Sequence, residues 1–310
     1  MNDTRGQRGS IVIWRISDGR PGHDTQTRGL LQALAAIKEC DCHELLAQPA
    51  AANLAHLVQH RFPAGDSLPD PDFIVGAGHG THLTLLCAGR ARGGKTVVLM
   101  KPTLPEFLFD YCLIPAHDRP PQRQNILVTR GVLNCMVPSS EHVPAVGMIL
   151  IGGASRHYDW DESGLVRQIQ EVCAASQDIH WVITDSPRTP PTTRRSLSRM
   201  KQGSWDFVPH ETTEQGWLAL RLQHAATVWV TEDSISMVCE ALTAGAAVGV
   251  LSVPAKRHDR ITRAVDDMAQ TGLVTRFSAW QAGTPLHPAD PPLQEAARCA
   301  RILLEQTGLA

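Results

Sequence analysis

Two carboxylates eight positions apart, Glu232 and Glu240, carry the most specific chemistry in the chain. They stand in the segment EDSISMVCEALTAGAAV, directly after the apolar run ATVWV at 226–230. The run reads as a buried strand. Ile235, Val238 and Leu242, with the small residues Ala241, Ala244 and Gly245, then recur with the period of a helix. Glu232 is therefore expected at the carboxyl end of the strand and Glu240 inside the helix. Open α/β sheets bind ligands beyond the carboxyl ends of their strands. A carboxylate placed there accepts hydrogen bonds from two neighbouring hydroxyls, which suits a ribose or a sugar.

Four other segments join an apolar run to a helical pattern through residues able to meet a ligand. In the first, residues 11–16 empty into Ser17, Asp18, Gly19, Arg20, Pro21, Gly22, His23 and Asp24. Glycine lets a backbone approach a ligand, Asp24 suits a cap for a helix starting near Thr25, and N–H groups at a helix start attract anions. His23 is placed for proton transfer or a substrate contact; the alternative is a capped turn with a surface histidine. The second, GAGHGTH at 76–82, offers Gly78, His79 and His82. It reads as a substrate-side loop, with a plain turn and a metal site lacking an evident third ligand as alternatives. The third, after residues 147–151, is Gly152, Gly153, Ala154, Ser155, Arg156 and His157; it is not the dinucleotide fingerprint, yet Gly153 and Ser155 suit a diphosphate cradle with Arg156 supplying charge. The fourth is Thr184, Asp185, Ser186, Pro187 and Arg188, hydroxyls and a guanidinium that again suit an anion. The basic cluster 256–260 either faces the same ligand or starts a solvated helix. Asp159 and Asp161 resemble a metal-binding acidic pair, but a cap for the helix from Glu162 is the preferred reading.

These segments need a scaffold of alternating strands and helices. Strands are expected at 11–16, 43–46, 72–77, 96–100, 111–114 and 126–129, with helices at 25–38 and 81–90. The pattern restarts with strands at 147–151, 179–184, 205–208, 226–230 and 247–252, and helices at 162–175, 192–200, 216–223 and 293–306. Short apolar strands alternating with helices predict parallel sheets. The fold class expected is α/β, with two doubly wound Rossmann-like domains facing a cleft, residues 1–143 and 144–310. The last helix is counted with the second domain, with a crossing back to the first as the alternative.

Composition narrows the function classes. The chain has 310 residues, 43% hydrophobic and 19% charged, with a formal net charge of −2. That is globular and offers no basic field for nucleic acid. No apolar run approaches the ~18 residues of a membrane span, and the first ten residues read as a flexible tail. The eight cysteines form no CxxC pair and read as reduced thiols. Cys40 to His43 read as a turn entering a strand, and Trp181 and Trp229 as core.

The segments SDGRPGHDTQTRGL (17–30), GAGHGTH (76–82), KPTLP (101–105), DYCLIPAHD (110–118), LIGGASRHYDWD (150–161) and TEDSISMVCEALTAG (231–245) together resemble the mitochondrial-fission ELM family. That family is similar to glycosyltransferases of the two-Rossmann-domain B type and to the non-hydrolysing sugar-nucleotide epimerases. The E-x7-E spacing is that of many retaining B-type enzymes, which implies a donor-sugar contact for Glu232 and a ribose contact for Glu240. Asp233, Ser234 and Glu240 match the D-S-x5-E segment of the epimerases, although Ile235-Ser236 replace the usual glycine pair. His23 sits like the histidine of the N-terminal glycine-rich loop in lipid-II-forming N-acetylglucosaminyltransferases, and Lys101 joins the substrate-side loops through the KPTLP match.

The resulting expectation is a metal-independent, cofactor-free glycosyltransferase. His23 and Glu232 would be catalytic. Gly152, Gly153, Ser155, Arg156, Thr184, Ser186, Arg188, Asp233, Ser234 and Glu240 would hold a nucleotide-sugar donor. Asp18, Gly19, Arg20, Gly22, Gly78, His79 and Lys101 would face an unidentified acceptor, with a lipid-linked one among the options. The alternatives are a sugar-nucleotide epimerase and a non-catalytic adaptor. The expected location is cytoplasmic, including a peripheral place at the inner membrane.

Overall fold

Strand periodicity explains how each half is layered. In β1 (Ile11–Ser17) every residue is buried, as a central strand covered on both faces requires. Ile11 and Ile13 pack on one side with Phe73, Val75, Val97 and Leu113. Val12, Trp14 and Ile16 pack on the other with Ile74, Val98, Cys112 and Ile114. This is the period-two alternation of a pleated strand. The computed structural model describes residues 9–200, 205–257 and 259–310; the expected tail at 1–8 and His258 of the basic cluster lie outside them.

The first unit comprises Met1–Cys135 and Glu295–Ala310. Its parallel sheet runs β2-β1-β3-β4-β5-β6, with β2 at Cys40–Leu46, β3 at Phe73–Ala77, β4 at Lys95–Leu99, β5 at Tyr111–Pro115 and β6 at Ile126–Thr129. Helix α1 (Pro21–Ala35) covers one face through Leu30 and Leu34, beside Cys299, Leu303 and Leu304 of the last helix, α9 (Glu295–Thr307). Helix α3 (His82–Arg92) covers the other through Leu85 and Ala88. Helix α2 (Ala50–Gln59) lies between β2 and β3 in the chain. The last helix thus joins the first unit, and the chain leaves that unit at Cys135, ahead of the 143/144 division read from the sequence.

The second unit, Met136–Gln294, has a parallel sheet ordered β12-β11-β10-β7-β8-β9. Its strands are β7 (Val143–Leu150), β8 (His180–Thr184), β9 (Trp205–Val208), β10 (Ala225–Thr231), β11 (Ala247–Leu251) and β12 (Thr275–Arg276). Helices α4 (Glu162–Ala175), α5 (Pro191–Arg199), α6 (Trp217–His224), α7 (Ile235–Ala244) and α8 (Arg260–Gln270) connect them. Trp181 and Trp229 are core residues. Each ring lies across a glycine of the neighbouring strand, Gly147 and Gly249, where a β-carbon would sit 2.5 and 2.4 Å from the indole.

Three local expectations change. Helix α1 begins at Pro21, not Thr25, and Asp24 is not its cap. Proline at the first helical position explains the earlier start, since its fixed φ and missing N–H suit that site. Asp24 instead accepts from the buried Arg15 guanidinium (2.8 Å) and from Ser17 Oγ (2.7 Å). Cys40 to His43 are strand, not turn: their backbone pairs with Ile11 to Trp14 of β1. Helix α2 escaped the sequence reading because its outer face carries Leu54 and Val58, both exposed, which blurs the amphipathic period. Asp161 does cap α4, accepting from the Gly164 N–H at 2.9 Å.

Candidate functional site

Strand order in the second unit reverses between β7 and β10. Connections leave those two strands in opposite directions, which opens a crevice above their carboxyl ends. Gly152 and Gly153 follow β7, Glu232, Asp233 and Ser234 follow β10, and the loop from Asp185 to Thr189 follows β8. The topology therefore brings three of the four predicted second-half segments to one sheet edge.

The turn after β7 is tightly bound to its neighbours. Gly152 N–H donates to Thr231 Oγ1 (2.8 Å) and Gly153 N–H to Asp233 Oδ2 (3.0 Å). A β-carbon on Gly153 would lie 2.0 Å from the Arg188 carbonyl oxygen, and one on Gly152 2.3 Å from Asp233 Oδ2. Both glycines are thus required by close packing. Because both N–H groups are engaged within the unit, they are not free donors for a diphosphate in this arrangement, contrary to the cradle expected from sequence. Ser155 is also committed: its Oγ accepts from the N–H groups of His157 (3.1 Å) and Tyr158 (3.2 Å).

The guanidinium groups remain. Arg188 binds Asp233 Oδ2 at 2.8 Å and the Gly153 carbonyl at 3.0 Å, and its side chain is 42% exposed. Arg156 is exposed and donates to His157 Nε2 (2.9 Å), whose Nδ1 lies 2.6 Å from Asp259. Lys256 Nζ donates to the Ser155 carbonyl (3.0 Å). Tyr158 pairs antiparallel with Ala255, so the loops after β7 and β11 are tied together and bring Arg156 and Lys256 into one basic neighbourhood. Thr184 is buried, and the Ser186 hydroxyl lies 3.2 Å from Thr189 Oγ1.

The carboxylates divide into braced and unpartnered groups. Glu232 accepts from the Val253 N–H (2.8 Å) and from Arg276 Nη1 (3.0 Å), and Arg276 also binds Asp266. Burial raises the Glu232 pKa against those two bonds. Both oxygens are thus engaged in holding the β10 end to the turn after β11, so the arrangement points to a brace where the sequence reading placed a catalytic group. Asp185, between the predicted contacts Thr184 and Ser186, is braced too. Burial opposes its ionisation, but bonds from His210 and Arg194 hold its pKa below the usual range. Glu240 differs. It lies within α7, and no hydrogen bond or ion pair reaches its carboxylate among the described residues. Burial alone pushes its pKa up to about 7.

Two buried polar atoms near the β10 end also lack partners among the described residues, Asp233 Oδ1 and the Tyr158 hydroxyl. Burial raises the Tyr158 pKa, with Glu232 and Asp233 adding to the effect. Tyr158 was missed in the sequence because an isolated tyrosine beyond a strand carries no pattern. Arg276 was missed because its partner is 44 residues away.

In the first unit the order reverses between β1 and β3. The predicted loops after those strands therefore meet. His23 Nδ1 lies 2.9 Å from Asp18 Oδ2, and the ring rests against Gly78, where a β-carbon would be 2.2 Å from Cε1. Gly78 has φ +77°, a second reason for glycine. Gly19 N–H donates to Ser17 Oγ (3.1 Å) and Arg20 N–H to Asp18 (3.2 Å). Space around Gly22 is open, and His79 is exposed. Lys101 Nζ donates to the Asp118 carbonyl (3.3 Å). His82 is buried against Phe109, and burial, reinforced by His79, lowers its pKa to about 4. His82 is therefore a neutral interior residue. Among the described residues no three His, Cys, Asp or Glu side chains cluster as a metal site, and no helix is long and apolar enough to cross a membrane.

Comparison with curated proteins gives no significant match. Solved structures resemble the whole chain at low identity. A UDP-N-acetylglucosamine 2-epimerase is 13% identical, with a TM-score of 0.57 and 98% of both chains covered. The S. aureus MnaA–UDP complex is 13% identical, with a TM-score of 0.51, covering 96% of this chain and 90% of that one. The Neisseria meningitidis UDP-GlcNAc 2-epimerase bound to UDP-GlcNAc is 11% identical, with a TM-score of 0.50, covering 96% and 99%. The fold is the two-Rossmann-domain architecture of the B-type glycosyltransferases and these epimerases. The mitochondrial fission ELM1 model matches residues 21–307, and the chain belongs to that family.

Proposed function

We propose that this protein binds a nucleotide sugar at the carboxyl edge of its second sheet and transfers the sugar without a metal. The observation that carries this reading is Glu240, a half-buried carboxylate with no protein partner among the described residues, on the helix that follows the switch-point strand. Desolvating a carboxylate without compensation costs several kcal/mol or neutralises it. Two ribose hydroxyls would supply the missing donors, each such bond contributing about 1.5–3 kcal/mol.

In this reading Arg188 and Arg156 meet the diphosphate, and their charge stabilises the leaving nucleoside diphosphate as it forms. Thr184, Ser186, Asp233 and Ser234 border the donor. Glu232 and the Gly152-Gly153 turn shape the strand ends. His23, oriented by Asp18, takes the proton of the acceptor hydroxyl while its oxygen bonds to the anomeric carbon and the nucleoside diphosphate departs. Gly19, Arg20, Gly22, Gly78, His79 and Lys101 belong to the acceptor side. The proposed setting is cytoplasmic, with peripheral membrane attachment if the acceptor is lipid-linked.

A second reading is a sugar-nucleotide epimerase, favoured by the D-S-x5-E spacing of Asp233, Ser234 and Glu240 at one strand end. Thermal-shift titration with UDP-, GDP-, ADP- and CMP-sugars tests both. Ligand at 100 times its Kd should add about 2.7 kcal/mol of stability. Conversion of the sugar nucleotide without an acceptor identifies the epimerase; acceptor-stimulated release of nucleoside diphosphate identifies the transferase. No shift with any donor at millimolar concentration rejects both and leaves an adaptor.

A further inference from the structure

We propose that the second unit carries another small-molecule site, on the edge of its sheet opposite the strand carboxyl ends, and that this site takes an aromatic ammonium ion. It does not depend on the donor reading. A cavity of about 400 Å³ is lined at this edge by Thr227 and Ala247, near the starts of β10 and β11. That volume lies in the range of small-molecule pockets, roughly 300–1,000 Å³. Thr227 is four residues from the carboxyl end of β10, about 13 Å along an extended strand, so the cavity is separate from the strand carboxyl ends.

The lining is unusual in which polar groups it leaves free. Besides Trp229 it has two N–H-bearing rings, and both of these direct their protons into the protein. Trp280 Nε1–H donates to the Thr284 carbonyl at 2.7 Å, and His142 Nε2 lies 3.0 Å from the Ala244 carbonyl. A carbonyl only accepts, so His142 carries its hydrogen on Nε2, and Nδ1 of the neutral ring is an acceptor. That Nδ1 is buried and has no partner among the described residues. Asp178 also lines the cavity; it is exposed and has no hydrogen bond or ion pair among the described residues. No lysine or arginine is among the lining residues.

With the His142 Nδ1 closed off by burial, the chemistry the cavity presents is a carboxylate and indole surface. Trp280 packs edge-on against Trp229, with ring centroids 5.1 Å apart, and both line the cavity. The turn bearing Trp280 is closed by its own bonds, Thr284 N–H to the Gln281 carbonyl at 2.9 Å among them, so the indole wall is held in place. A flat apolar body suits the rings. A cationic N–H group suits the Asp178 carboxylate and is attracted by an indole face. An anion or a pure acceptor would meet no charged donor here.

The test uses the full-length protein with benzylammonium as probe and benzyl alcohol as its neutral counterpart. The readout is the Trp280 indole N–H resonance, identified by sequential assignment. We expect a saturable shift with benzylammonium, about three- to fivefold tighter than with the alcohol, the scale of one screened ion pair with a cation–π contact. Asp178→Asn, at an exposed and unbonded position, should keep the fold and reduce that preference to about one. Absence of a saturable shift overturns the proposal, as does equal affinity for the two probes or a preference unchanged in Asp178→Asn. Because the donor screen reports on the opposite edge, a negative result there leaves this test intact.

Discussion

His23 and Asp18 form a bifurcated pair: the imidazole Nδ1 lies 3.1 and 2.9 Å from the two carboxylate oxygens. A carboxylate accepts, so Nδ1 carries the hydrogen and Nε2 keeps the lone pair that a general base needs. Under the proposed function, His23→Ala should lower turnover by roughly 10²–10⁴-fold, the usual contribution of a positioned base. Asp18→Asn should lower it less, with little change in donor binding, because the amide no longer enforces the tautomer. Steady-state rates with thermal-shift titration of the donor separate the two effects, and unchanged rates in both variants would remove the dyad from the chemistry.

Gly78 sets the position of that ring. Alanine there must adopt φ +77° and would place its β-carbon 2.2 Å from His23 Cε1. Gly78→Ala is expected to cost about 1–3 kcal/mol from backbone strain alone, and to displace His23. Urea denaturation should show the lowered midpoint. A wild-type midpoint with wild-type turnover would contradict the packing described.

Glu240 makes stability and binding depend on pH in opposite senses. Its pKa is about 7 in the folded protein against an ordinary value of 4.5. Between these values the native state binds more protons than the unfolded one, so stability falls as pH rises through this window and levels off above about 7. The loss should be on the order of 1–3 kcal/mol. Glu240→Gln should flatten the dependence and be more stable than the wild type at pH 8. Nucleotide affinity should instead rise through about pH 7, since the ionised carboxylate is the better acceptor. Equal nucleotide affinity in Glu240→Ala would remove the ribose assignment.

Glu232 should behave as a brace. Glu232→Ala leaves the Val253 N–H unpaired and removes one of the two carboxylates on Arg276. The expected destabilisation is about 2–4 kcal/mol, in the range for broken buried polar contacts, read from urea midpoints. Glu232→Gln, which can still accept from Val253, should lose less. A variant with an unchanged midpoint and abolished turnover would restore Glu232 to the reacting centre.

Much of the architecture was legible because it depends on local pattern. The alternation of Ile11 to Ile16, Phe73 to Ala77 and Ala226 to Val230 with helical periods is sufficient to predict parallel sheets, and glycine-rich loops after apolar runs are sufficient to predict strand-end sites. Glu240 was identifiable from its spacing to Glu232. What each polar group does was decided only in three dimensions. Gly153 meets Asp233 across 80 residues, Gly152 meets Thr231 across 79, and Glu232 meets Arg276 across 44. The same residue types at the same spacing would suit a phosphate cradle if their N–H groups were free, and a catalytic carboxylate if its oxygens were. Sequence determines which donors and acceptors exist and which end of a strand they occupy. Tertiary packing determines which of them are already paired, because burial makes an unpaired polar group costly and each buried donor is bonded by whichever acceptor the fold brings within reach.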